Sequence, residues 1–161
     1  SHKLHAGELG IDCRYCHNTV ERGARAAVPP VSTCMNCHGV VKTDSKALEP
    51  IRRAAAEPNA SVEWVRVHML PDYAFFDHGV HAAATIGCAS CHGRVDQMVV
   101  VTQSEPLSMS WCLSCHNDPG PNLRPQSELT NMAWEPEGSG FDPHDLDRFP
   151  SPPTHCSGCH R

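Results

Sequence analysis

Cys13-Arg14-Tyr15-Cys16-His17 is one of five copies of a single pattern. The others are Cys34-Met35-Asn36-Cys37-His38, Cys88-Ala89-Ser90-Cys91-His92, Cys112-Leu113-Ser114-Cys115-His116 and Cys156-Ser157-Gly158-Cys159-His160. Each reads C-x-x-C-H, the attachment signature of c-type haem. Two thiols add to the haem vinyl groups and become thioethers. The histidine that follows is placed beneath the iron as an axial ligand. Two intervening residues let both sulfurs reach one porphyrin edge, and the next side chain turns in under the ring.

Paired cysteines also occur in zinc ribbons and in thioredoxin-like redox sites. Zinc takes four ligands, so thiolate pairs come two at a time, and five pairs do not divide evenly. Neither site requires a histidine directly after the second cysteine. Histidine fills 12 of 161 positions, so five such placements by chance have odds on the order of 10⁻⁶. All ten cysteines fall within the motifs, leaving none for a disulfide. The expected cofactor is therefore five covalently bound haem c groups.

A length of 161 residues suits one domain. Leu, Ile, Val and Phe together number 29, about 18% of the chain. That is below the ~20% at which a packed aliphatic core becomes doubtful. Five large, flat, mostly apolar haems would supply what the side chains lack. The expected fold class is a multihaem cytochrome c, mostly irregular, with short α-helices and little β-structure, wrapped around a haem stack. Fourteen prolines and eleven glycines agree with long irregular segments. The formal charge of −5 is mild and gives no reason to expect a nucleic-acid partner.

The chain repeats itself. His2 and His5 form an H-x-x-H pair ahead of the first motif, and His78 and His81 form another ahead of the third. Sixteen residues then separate His17 from Cys34, and nineteen separate His92 from Cys112. The unit H-x-x-H, C-x-x-C-H, linker, C-x-x-C-H thus occurs twice. The expected organisation is one pentahaem domain over 1–161. A first two-haem module spans 1–43, a linker 44–77, a second module 78–118, and a C-terminal extension with the fifth haem 119–161.

The motifs supply five proximal ligands, His17, His38, His92, His116 and His160. Seven histidines lie outside them: His2, His5, His68, His78, His81, His144 and His155. The H-x-x-H pairs give four distal candidates, His2, His5, His78 and His81. Residues i and i+3 share a helical face yet diverge enough to serve two different irons. His68 is a further candidate. His155 adjoins Cys156 and cannot easily reach the distal face of its own haem, and His144 lies in a polar loop. Met109, three residues before Cys112, is a methionine candidate whose thioether would raise a potential. Five histidines plus Met109 make one distal candidate too many for five irons.

Asp44 or Ser45 is expected to cap a helix over Lys46–Ala56, ended by Glu57-Pro58-Asn59. Val62–Val67 and Met98–Val101 read as short extended segments. Pro119–Pro153 is rich in proline and glycine and is expected to be ordered by contact with haem or with another subunit. No run of about 20 apolar residues is present to span a bilayer. Covalent haem attachment takes place outside the cytoplasmic membrane. The start at Ser1 therefore leads us to expect an export signal or anchor upstream, and a site on the periplasmic side.

Five longer strings carry a resemblance. WVRVHMLPDYAFFDHGVH (Trp64–His81), CASCHGRVDQM (Cys88–Met98) and EPLSMSWCLSCH (Glu105–His116) closely resemble the pentahaem cytochrome subunit of alternative complex III. HKLHAGELGIDCRYCH (His2–His17) and VPPVSTCMNCH (Val28–His38) extend the likeness over nearly the whole chain. The double module also resembles class III cytochromes, whose H-x-x-H pair feeds two haems. The resemblance implies a non-catalytic electron-transfer subunit in a membrane complex carrying electrons from quinol to cytochrome c or an oxidase. It implies an iron–sulfur subunit of the molybdopterin-oxidoreductase kind, quinol-oxidising membrane subunits and a monohaem cytochrome c as partners. It also implies an upstream membrane segment. Two rivals are a free periplasmic class III-like shuttle and a multihaem oxyanion reductase. The reductase needs a five-coordinate iron lined by Arg, Tyr or His, which the supply of distal candidates disfavours.

Overall fold

The computed structural model describes residues 1–143 and 151–161; His144 lies outside the described residues. Among the described residues, seven short α-helices carry most of the regular structure. They are α1 (Cys13–Cys16), α2 (Val31–His38), α3 (Glu49–Ala56), α4 (His78–Ala83), α5 (Cys88–His92), α6 (Met109–Asn117) and α7 (Cys156–Cys159). A π-helical turn covers Lys3–Glu8, and 3₁₀ turns cover Lys46–Leu48, Val95–Gln97, Gly120–Asn122 and Gln126–Glu128. Strand pairing among the described residues is confined to two isolated antiparallel bridges, Ala74 with His160 and Ile86 with Leu123. Mostly irregular chain, short helices and almost no strand is the architecture expected of a small multihaem cytochrome.

The expected helix over Lys46–Ala56 forms as a 3₁₀ turn running into α3. Pro50 falls in the first turn of α3, where its missing N–H removes no helical bond. Ser45 stands at the entrance of the 3₁₀ turn, but its hydroxyl makes no capping bond. Val62–Val67 and Met98–Val101 join no ladder. Val65 is 87% exposed and Trp64 57%, while Val62 and Val67 are half-buried.

The polypeptide has almost no core of its own. Among the described residues only Ala82, Val95, Leu123 and Leu129 are buried apolar side chains. The accessible surface is 10761 Å². A compact chain of 17.6 kDa would expose about 7,900 Å². The excess shows a chain folded around space that its own side chains do not fill.

The best-packed region is where the C-terminal extension meets the entrance to α5. The N–H groups of Gly87, Cys88 and Arg124 donate to the carbonyls of Asn122, Leu129 and Thr85 at 3.1–3.2 Å. Arg124 is buried, donates from Nη1 to the Asn131 carbonyl at 2.9 Å, and lies 5.3 Å over the Trp134 ring. The extension is thus ordered, at least here, by contact with its own chain. At the other end of α5, Gly93 adopts φ +62°, a left-handed conformation that costs glycine no Cβ clash. The π-helical turn packs on the Val95–Gln97 turn, with Gly7 so close to the Asp96 carbonyl that no larger residue fits.

Candidate haem-binding sites

All five C-x-x-C pairs lie on helical turns, where residues i and i+3 share one face. In α1 and α7 the histidine N–H donates to the carbonyl of the first cysteine, His17 to Cys13 at 2.9 Å and His160 to Cys156 at 2.8 Å. That bond closes the turn and fixes where the ring leaves the backbone. Asp12 caps α1, accepting from the Arg14 N–H at 2.8 Å. Hydrogen bonds from Arg14 first hold the Asp12 carboxyl at about 2. Asp77 and Ser108 cap α4 and α6 in the same way.

Six of the thiols are shifted away from activation. Burial raises Cys13 to about 11 and Cys91 to about 12, and it also leads the upward shifts of Cys16, Cys88, Cys112 and Cys115. A nucleophilic or zinc-binding cysteine needs its thiolate favoured. Buried thiols that end as neutral thioethers lose nothing by this environment. Among the described residues, no three His, Cys, Asp or Glu side chains converge as a metal-ion cluster.

The imidazoles are arranged differently, in facing pairs. His2 and His17 have ring centres 6.3 Å apart, His5 and His38 6.1 Å, His78 and His92 6.3 Å, and His81 and His116 6.2 Å. Each pair joins one motif histidine to one H-x-x-H histidine. Rings in contact would be much nearer. Two metal–imidazole bonds of about 2 Å, with roughly 1.1 Å from each nitrogen to its ring centre, span about 6.2 Å. The gap is the one that a shared six-coordinate iron requires.

The ring nitrogens agree. Nδ1 of His5, His17, His38, His78, His81, His116 and His160 meets the backbone carbonyl of Ser1, Ala27, Val41, Ala24, Asp77, Pro153 and Tyr73, at 2.6–3.2 Å. A carbonyl only accepts, so Nδ1 carries the hydrogen and Nε2 keeps its lone pair. This is the outer-shell arrangement that orients metal-ligating histidines. Ala27 holds its carbonyl in place from a left-handed conformation, φ 58°, which alanine adopts only at a cost. His92 is pushed down to about 4, by burial first and then by His68, His78, His17 and His2. A depressed histidine stays neutral at ordinary pH and so keeps a lone pair for a metal.

His68 and Met109 do not join this scheme in the same way. His68 lies edge-on to His92 with centres 4.5 Å apart, which leaves no room for an iron between them. Its Nε2 is buried without a hydrogen-bond partner. Met109 opens α6 and is 66% exposed. His155 is exposed, with Nδ1 3.1 Å from the Ser157 hydroxyl.

Sequence reasoning missed the carbonyl acceptors, which have no side-chain signature, and it missed Phe76. The Phe76 ring lies 4.8 Å from His78 and 4.4 Å from His81, wedged against both histidines of one H-x-x-H pair. An aromatic residue two positions before such a pair was the available signal.

No family model matches the chain. Over 92 residues it is 30% identical to the multihaem cytochrome c subunit of menaquinone reductase from Nitratidesulfovibrio vulgaris (strain Hildenborough), a match covering 57% of this chain and 43% of that protein. The chain thus spans less than half the length of this relative. What it is similar to, in sequence, is a multihaem cytochrome c subunit.

Proposed function

We propose that this chain is an electron-relay subunit with five haem c groups. It would work on the periplasmic side of the cytoplasmic membrane, in a quinol:cytochrome c or oxidase oxidoreductase of the alternative complex III kind. The observation that carries the relay reading is the set of four histidine pairs 6.1–6.3 Å apart, each joining a motif to an H-x-x-H histidine. Bound haem c supplies reversible one-electron chemistry. The ten motif cysteines anchor it: Cys13, Cys16, Cys34, Cys37, Cys88, Cys91, Cys112, Cys115, Cys156 and Cys159. The pairs that would hold the irons are His17 with His2, His38 with His5, His92 with His78, and His116 with His81. Two histidines on an iron close it to substrate, which suits electron transfer and leaves bond-making to partner subunits.

For the fifth site we assign His160 as proximal and Met109 as distal ligand. Met109 lies one helical turn before Cys112 of the fourth motif, whose His116 donates to the Pro153 carbonyl three residues ahead of the fifth motif. His68 is then the surplus candidate, packed on His92. The membrane-complex assignment draws on the relative, whose name places it in a menaquinone reductase. A relay conducts either way, so the direction is set by the potentials of its partners. Those partners would be the iron–sulfur subunit, the quinol-oxidising membrane subunits and the monohaem cytochrome c.

Two measurements test this. Intact mass of the native chain should show five haems that survive acid–acetone extraction, whereas bare polypeptide plus zinc would end the haem reading. Size-exclusion of a native membrane extract should place the chain in a large assembly. A small free species would replace the complex with a soluble shuttle.

The ring planes set a further expectation. They lie 7° and 10° apart in the His2–His17 and His78–His92 pairs, 41° apart in His81–His116, and 79° apart in His5–His38. Parallel imidazoles split the two iron π-orbitals, and perpendicular ones leave them nearly degenerate. The oxidised protein should therefore give rhombic low-spin resonances together with one strongly anisotropic component. His5→Ala should remove that component. Its persistence in His5→Ala would mean that it arises elsewhere.

A further inference from the structure

Short pieces of backbone each hold histidines of two different sites, and together they fix an order. The π-helical turn and its entrance carry His2 and His5, which face His17 and His38. The first two motifs also touch directly, through Asn36 Nδ2 donating to the Tyr15 hydroxyl at 3.0 Å. The turn after the first motif then reaches across the repeat. Its Ala27 carbonyl accepts from His17 and its Ala24 carbonyl from His78, which faces His92 of the third motif. The Gly79 N–H donates to Gly23 in the same turn at 3.1 Å. Helix α4 joins the third site to the fourth, since His78 faces His92 and His81 faces His116. Finally, His116 donates to the carbonyl of Pro153, three residues before Cys156 of the fifth motif.

We infer that the five haem sites form one unbranched line in the order second, first, third, fourth, fifth. Electrons then enter and leave through the second and fifth motifs, at opposite ends. The inference rests on the haem reading above. The ends have a structural mark. Helix α2, which carries the second motif, packs against α3 of the linker. The fifth motif is held by the 73–75 segment, with Phe75 N–H donating to the Cys159 carbonyl at 2.6 Å and Arg161 lying 4.0 Å over the Phe75 ring.

The order differs from chain order at one place, where the first motif is internal and the second terminal. The test is a crystal structure of the haem-loaded native chain or its complex, with irons located by anomalous scattering at the iron edge. Walking from each iron to its nearest unvisited neighbour should give second, first, third, fourth, fifth. A second-motif iron lying between two others, or a branch at the third, overturns the order while leaving the haem reading intact. Fewer than five irons overturns both. A solution readout uses removal of one site by Cys34→Ala with Cys37→Ala. That variant should keep four haems that still equilibrate rapidly with one another. Loss of exchange between the first and third sites in it would also overturn the order.

Discussion

Expressed without haem-attachment machinery, this chain should show no cooperative thermal transition and should be degraded in cells. The expectation follows from what the fold lacks. No side chain among the described residues is fully buried, and Leu123 and Leu129, at 2% exposure, are the best-covered apolar ones. The polypeptide exposes 10761 Å², well beyond the ~7,900 Å² of a compact chain of its size. Ordering each residue costs about 1–2 kcal/mol of backbone entropy, and apolar burial is what normally offsets it. On the haem reading proposed above, the offset comes from the bound groups. Leu4, Leu9, Val28 and Phe75 are all at least 41% exposed in the bare polypeptide and are available to cover porphyrin faces. Far-ultraviolet circular dichroism during heating checks this. A sigmoidal transition from the haem-free product would show a self-sufficient core and contradict it. Losing a single terminal haem should be milder, since the contacts of Leu123, Arg124 and Leu129 with the entrance to α5 do not involve the second motif.

The sequence made the sites legible because haem attachment is written in contiguous residues. The C-x-x-C-H units and the H-x-x-H pairs are local patterns, and a helical turn brings their members to one face without help from the rest of the chain. The pairing between His2 and His17, or His81 and His116, was readable only as a repeat, since the facing distance is a tertiary property. The extended segments were legible as extended chain, but what they pack on was not. Val62–Val67 alternates like a strand, but alternation yields a ladder only where another strand is available, and this chain offers none there. The acceptors Ala24, Ala27, Tyr73 and Pro153 act through their carbonyls, so any residue type could fill those positions. The burial of Leu123 and Arg124 was hidden because a proline- and glycine-rich stretch gives no periodicity to read.

His81→Ala should leave all five haems attached, because attachment depends on the cysteines, but should open the iron above His116. Three residues advance a helix by about 300° and roughly 4.5 Å, so His78 and His81 project from one face at different heights and cannot serve one iron. The structure pairs them with His92 and His116 respectively, at 6.3 and 6.2 Å. The substitution spares the helix. Asp77 still caps α4 by accepting from Val80, and alanine is the best helix former. The opened iron should become high-spin when ferric, bind carbon monoxide when ferrous, and shift one component of the redox titration. His78→Ala should do the same to a different component, the iron above His92, and the double variant should show two open irons. Met109→Ala should open the iron above His160 and abolish the highest-potential component, because a thioether favours the reduced metal. Met109→His should restore six-coordination at a lower potential. If His81→Ala leaves every haem low-spin with an unchanged titration, the H-x-x-H pairs only shape the backbone. The distal ligands would then have to come from His68, His144, His155 and the methionines.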